Sequence, residues 1–180
     1  MIVEIYHLGG YFMVEYLKES NKIKLRETED SDLDFVIKLE RKPENSKNVF
    51  QWSKDEHREI INGNDTLHLI IEDQQNNKVG YAIIAGLKSK NKSLELRRVV
   101  IGEKNRGYGT EFLSLIKDYT FKDLNFHKIW LDFFESNQRV ESLYKRSGFK
   151  REGVLRDKYF YDNRYISMVV MSILEDEYSD

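Results

Sequence analysis

The chain predicts an α/β fold in a single domain, and three observations carry that expectation. The spacing of apolar residues switches repeatedly between a strand period and a helix period, in the order β α α β β β α β α β β. A glycine-containing loop joins one strand to a helix and then to another strand, which implies a crossover with parallel or near-parallel neighbours. The 180 residues, 40% of them hydrophobic and only one a proline, suit one domain with a substantial core rather than a linker-rich or disordered chain.

Residues 22–27 alternate in strand fashion, with Ile23 and Leu25 on one face. Asp30 or Ser31 can cap a helix from Asp32 to Glu40, whose apolar stripe is Leu33, Val36, Ile37 and Leu39. Pro43 and Asn45 break it. Ser53 caps a second helix from Lys54 to Asn62, and Gly63 stops it. Residues 66–72 and 79–87 read as two apolar strands around a polar turn, and Leu94 to Ile101 as a third. The loop Gly102 to Gly109 leads into a helix from Thr110 to about Asp123, with Phe112, Leu113, Ile116 and Tyr119 at helical spacing. A strand at 128–134, a helix from Asn137 to Ser147 ended by Gly148, and a hairpin turning at Asp162-Asn163 complete the chain. The domain is expected over residues 22–176, with 1–21 as an N-terminal extension. Met13 is an alternative start, so residues 1–12 are either an upstream extension or a helix packed on the domain.

Composition excludes several classes of function. With no cysteine there is no disulfide, thiolate metal site or cysteine nucleophile. A formal net charge of −2 gives no global attraction to nucleic acid or anionic lipid. No apolar run approaches the ~20 residues that cross a bilayer, and the N-terminus, carrying Glu4 and Glu15 without a basic region, does not read as a signal peptide. A cytoplasmic protein is expected. His7, His57, His68 and His127 show no metal-ligand spacing, so no metal is expected, and His68 lies mid-strand, where packing explains it.

The most informative segment is residues 99–113, VVIGEKNRGYGTEFL. A strand runs into a loop holding Arg106, Gly107 and Gly109, then into a helix. Glycines allow close backbone approach, and the first amides of a helix point outward beside the positive end of its dipole, so the segment can hold a phosphate. A strand-to-helix turn that uses glycine only for its dihedral angles is the other reading. A Walker loop is excluded because Thr110 and Glu111 follow Gly109. A dinucleotide fingerprint is excluded because Phe112 stands at its third glycine, although Asp132 lies near the distance of a ribose-binding acid.

Two blocks resemble the GNAT superfamily of N-acetyltransferases. Gly107-Tyr108-Gly109 after Lys104 looks like its acetyl-CoA loop, Gln/Arg-x-x-Gly-x-Gly/Ala, with lysine at the first position. Residues 136–149, SNQRVESLYKRSGF, resemble its second block, with Asn137, Leu143, Tyr144, Arg146, Gly148 and Phe149 in register and Val140 where Ala or Ser is common. The resemblance implies the GNAT fold, a mixed and mostly antiparallel twisted sheet flanked by helices. It also implies acetyl-CoA as cosubstrate and direct attack by an amine with no acyl-enzyme. The long C-terminal hairpin looks most like the branch acting on ribosomal-protein N-termini, diamines or small amines.

On that resemblance, the backbone of Val99, Val100 and Ile101 holds the pantetheine arm and polarises the thioester. Lys104 faces phosphate, and Gly107, Tyr108, Gly109 and Thr110 receive the pyrophosphate, helped by Arg106. Tyr144 is the candidate general acid toward the departing sulfur, or a core residue sharing a helical face with Val140 and Leu143. Asn137 contacts the coenzyme arm, caps the helix, or does both. Glu95 is the candidate base, or a solvated strand carboxylate. Arg97 and Arg98 sit on opposite faces of one strand; one of them steers a substrate carboxylate or phosphate, or both are surface charge. Phe50 and Trp52 fall where the family builds its acceptor pocket, with core packing as the alternative. The tail aromatics Tyr159, Phe160, Tyr161 and Tyr165 line the acceptor side, form a dimer edge, or pack across strands.

The expected activity is therefore acetyl transfer to a small amine, polyamine or protein N-terminus. A non-catalytic coenzyme-A-binding regulatory module is the alternative. A homodimer is compatible with either, and neither nucleic acid nor membrane is an expected partner.

Overall fold

The computed structural model describes residues 15–178. The expectations for residues 1–12 and for a start at Met13 lie outside the described residues. Eight strands form one sheet in the order β1-β2-β3-β4-β5-β6-β8-β7. They are β1 (Lys18–Glu19), β2 (Ile23–Glu27), β3 (Thr66–Asp73), β4 (Lys78–Ala85), β5 (Ser93–Ile101), β6 (Lys128–Phe134), β7 (Lys150–Tyr161) and β8 (Arg164–Leu174). Every neighbouring pair is antiparallel except β5–β6, which is parallel. The mixed, mostly antiparallel sheet expected for the chain is therefore present.

Among the described residues, five α-helices flank the sheet: α1 (Leu33–Glu40), α2 (Pro43–Ser46), α3 (Lys54–Ile61), α4 (Tyr108–Asp118) and α5 (Gln138–Arg146). Pro43 ends the run that began α1, as its spacing suggests, but it also opens the short α2 from a first-turn position, where its missing N–H costs nothing. The helix expected over 110–123 starts two residues earlier. Its last turn, Tyr119–Asp123, is π-helical, with the Leu124 N–H bonded to the Tyr119 carbonyl at 3.0 Å.

Alternation along the strands sorts the core into two faces. Ile84, Leu94, Leu96, Leu131 and Met171 pack with Phe112, Ile116 and Tyr144 on the face covered by α4 and α5. Ile70, Tyr81, Ile83 and Val100 pack with Val36 and Leu39 on the face covered by α1 and α3. Farther along that second face, Phe134, Ile166 and Met168 gather with Phe50 and Tyr161.

A single extra residue determines the shape of the centre. Ile83 of β4 pairs with Arg98 and Ile84 with Leu96, so Arg97 is a bulge. Below it Leu94 and Leu96 face α4 and α5; above it Val99 and Ile101 take that face, while Arg98 and Val100 turn toward α1 and α3. Pairing of β5 with β6 ends at Glu95–Trp130, and beyond that pair the two parallel strands diverge.

Candidate functional site

The divergence of β5 and β6 creates an opening in the sheet, with the glycine loop at its upper end. Gly107 has φ 83° and stands at the N-cap of α4. That left-handed conformation would cost a side-chain-bearing residue roughly 1–2 kcal/mol. The first backbone bond of the helix runs from the Glu111 N–H to the Gly107 carbonyl at 3.1 Å. The amides of Tyr108, Gly109 and Thr110 are left without intrahelical partners at the positive end of the helix dipole, which fits them to an anion. Gly109 serves packing as well: a Cβ there would lie 3.2 Å from Leu143 Cδ2, so its absence lets α5 close on α4. Arg139 of α5 also reaches the loop, donating to Asn105 Oδ1 at 2.9 Å.

The two cations of the loop are not equivalent. Arg106 is exposed and pairs with Glu103 at 3.0 Å. Lys104 bends back, donating to Asn45 Oδ1 at 2.8 Å and to the Ile101 carbonyl at 2.5 Å. Burial and the nearby charge of Arg139 lower its pKa. Lys104 thus ties the loop to α2, and one lone pair of the Ile101 carbonyl is already engaged.

Tyr144 projects from α5 onto the α4/α5 face, 7% exposed, with Phe133 and Phe149 each 5.6 Å away between ring centroids. Its hydroxyl has no hydrogen-bond partner among the described residues. Burial, reinforced by the charge of Asp132, raises its pKa, so it holds its proton at neutral pH. Asn137 caps α5, accepting from the Val140 N–H at 3.4 Å, and its amide nitrogen has no partner among the described residues. Glu95 lies on the opposite face at the last β5–β6 pair, partly exposed, and accepts from Arg97 at 2.8 Å. Tyr144 and Glu95 therefore approach the opening from its two sides.

The face carrying Glu95 holds a network with no local signature in the sequence. Glu40, 1% exposed, accepts from Arg98 at 2.7 Å, from the Tyr81 hydroxyl and from the Trp52 N–H at 3.3 Å, and faces His57 Nε2 at 3.4 Å. Burial pushes its pKa up, but His57 and Arg98 outweigh this and hold it below the usual carboxylate range. The Arg98 guanidinium lies 3.7 Å from the Trp52 ring centroid. Neither expectation for Arg98, substrate steering or surface charge, describes it: the bulge at Arg97 turns it inward onto Glu40. His57 Nδ1 meets His68 Nε2 at 3.0 Å, and His68 Nδ1 meets Thr28 Oγ1 at 2.8 Å. Burial pushes His68 down to about 3, so it is neutral. His68 is packed, as its mid-strand position suggested. Phe50 contacts Phe134, Tyr159 and Tyr161, each at 5.0 Å, so it joins the loop before α3 to the C-terminal hairpin.

A parallel pair of strands prised apart by a bulge, with a glycine-capped helix at the mouth, defines the acetyltransferase class that the two sequence blocks resemble. Residues 25–170 match the family model described as an acetyltransferase (GNAT) domain, and the chain belongs to that family. It is an acetyl-CoA-dependent N-acetyltransferase. Among curated relatives, the spermidine N(1)-acetyltransferase of Vibrio cholerae serotype O1 is 28% identical, covering 88% of this chain and 96% of its own. The Escherichia coli K12 protein of the same name is 23% identical, covering 90% and 91%. Among solved structures, the Vibrio cholerae spermidine N-acetyltransferase in complex with CoA and spermine aligns with a TM-score of 0.77 and 27% identity, covering 88% of this chain and 98% of that one.

Proposed function

We propose that the chain acetylates a primary amine of a polyamine, with the thioester of acetyl-CoA lying in the opening between β5 and β6. The observation that carries the reading is the end of β5–β6 pairing at Glu95–Trp130. Beyond it, the β6-side backbone of β5 has no strand partner and can pair with an amide-bearing arm. Val99, Val100 and Ile101 then hold the arm, the α4 amides from Gly107 to Thr110 take the pyrophosphate with Arg106 beside them, and the Asn137 amide faces the arm.

In this reading the amine enters from the α1/α3 face. Glu95 takes its proton, directly or through water, and the free amine attacks the thioester carbonyl carbon. A backbone N–H near Val99 stabilises the developing oxyanion. The C–S bond then breaks, Tyr144 gives its proton to the departing thiolate, and the second proton lost by the amine nitrogen returns through water to the Tyr144 oxygen. The polyamine acceptor is supported by the relatives, which are named for spermidine, and by the chemistry of the entry face. Glu95 and Asp132 share that face with aromatic side chains, a setting that attracts multiply charged cations. The test is thiol release from acetyl-CoA with spermidine, set against an Ala-initiated peptide and an aminoglycoside. Release with spermidine alone supports the reading; release only with the peptide or the aminoglycoside replaces it.

A further inference from the structure

The C-terminal hairpin brings a lysine onto a carboxylate of β6, on the face proposed for amine entry. Leu155 of β7 pairs with Met168 of β8 and Tyr159 pairs with Ile166, so Arg156, Asp157 and Lys158 bulge opposite Ser167. Asp157 sits at φ 51°, its N–H donating to Ser167 Oγ at 3.1 Å. The kink carries Lys158 across β8 to β6, where its ammonium donates to Asp132 Oδ2 at 2.5 Å. The same ammonium lies 4.9 Å from the Tyr159 ring centroid, and Tyr159 packs on Phe50. Both members of the ion pair remain partly open, with side chains 29% and 16% exposed.

Asp132 lies two residues beyond the closing pair, at the start of the opening and on the same face as Trp130. Its charge adds to burial in raising the Tyr144 pKa. The Lys158 side chain is four methylenes ending in a primary ammonium, the same group as the aminobutyl arm of spermidine. We infer that Asp132 and Tyr159 form the subsite for the distal ammonium of the polyamine, and that Lys158 occupies it until the substrate displaces it. The inference rests on the polyamine reading of the same site.

The exchange is chemically balanced, since one alkylammonium replaces another on one carboxylate. A partly exposed pair is weak, so Lys158 yields readily to a multivalent competitor. Lys158 therefore sets how much polyamine is needed and penalises amines lacking a second charge, which cannot replace it on Asp132.

The experiment measures KM for spermidine and for acetyl-CoA in the wild type, Lys158→Met and Asp132→Asn. It also measures amine-selective labelling of Lys158 by mass spectrometry, with and without saturating spermidine. Lys158→Met is expected to lower the spermidine KM about threefold, and Asp132→Asn to raise it roughly tenfold, magnitudes typical of single charge contacts. The KM for acetyl-CoA should stay within about twofold of the wild-type value in both variants, because neither residue contacts the coenzyme loop. Labelling of Lys158 should rise when spermidine binds. A spermidine KM unchanged or raised in Lys158→Met, or labelling that is unchanged or suppressed, overturns the inference while wild-type turnover of spermidine leaves the polyamine reading standing. A wild type that does not acetylate spermidine overturns both.

Discussion

The two sides of the opening are built by different means. The side proposed for the coenzyme is made of backbone: a left-handed glycine, three unpaired amides and an unpartnered strand edge, all contributed by residues 96–110. The face proposed for amine entry is held together by side chains gathered from across the chain, with Glu40, Trp52, His57, Tyr81 and Arg98 meeting in one buried cluster. A backbone site survives most surface substitutions but is sensitive to dihedral angles. A side-chain cluster around a buried charge loses stability when any member loses its partner.

The difference can be broken most sharply at Glu40. Replacing it with alanine leaves Arg98 buried at 8% side-chain exposure without its counter-ion. Urea unfolding is expected to show a loss of about 3–5 kcal/mol, the usual cost of orphaning one member of a buried pair. A loss under about 1 kcal/mol would mean that the acceptor side is no more interdependent than a surface. Tyr144→Phe comes next. It keeps the packing on Phe133 and Phe149 but removes the proposed acid, so kcat should fall roughly 100-fold with little change in melting temperature.

Acidity sharpens the comparison on the side-chain half. His68 has an ordinary value of 6.5 and is held at about 3 in the fold. The unfolded chain therefore binds the extra proton between those values, and stability present above pH 6.5 declines as pH falls toward 3. The slope is up to about 1.4 kcal/mol per pH unit. Urea midpoints from pH 7 to pH 4 should fall more steeply in the wild type than in His68→Gln. The smallest effect belongs to the backbone half: Gly107→Ala is expected to cost about 1 kcal/mol, lowering the melting point by about 2–4 °C and raising the KM for acetyl-CoA.

This asymmetry also explains what could be read in advance. The element order, the crossover and the glycine-capped helix follow from local periodicity and from Gly107, signals carried within a few residues. The bulge at Arg97 does not, because a strand of alternating residues looks the same with or without one extra member until its partner's register is known. Read without that register, Arg98 is a strand arginine suited to steering or to the surface. Glu40 and His57 are separated from Arg98 by 58 and 41 positions in the chain, and no local pattern links them. Asp132 carries no local signal beyond a spacing that suits a ribose-binding acid, and the reach of Lys158 to β6 depends on a three-residue bulge in β7 that no local pattern marks.

The most direct test of the account is thiol release from acetyl-CoA with spermidine, comparing the wild type with Tyr144→Phe under saturating coenzyme. The account predicts release that depends on the polyamine and falls roughly 100-fold in the variant, with the KM for acetyl-CoA little changed. Spermidine-dependent release that proceeds equally fast without the Tyr144 hydroxyl would contradict it.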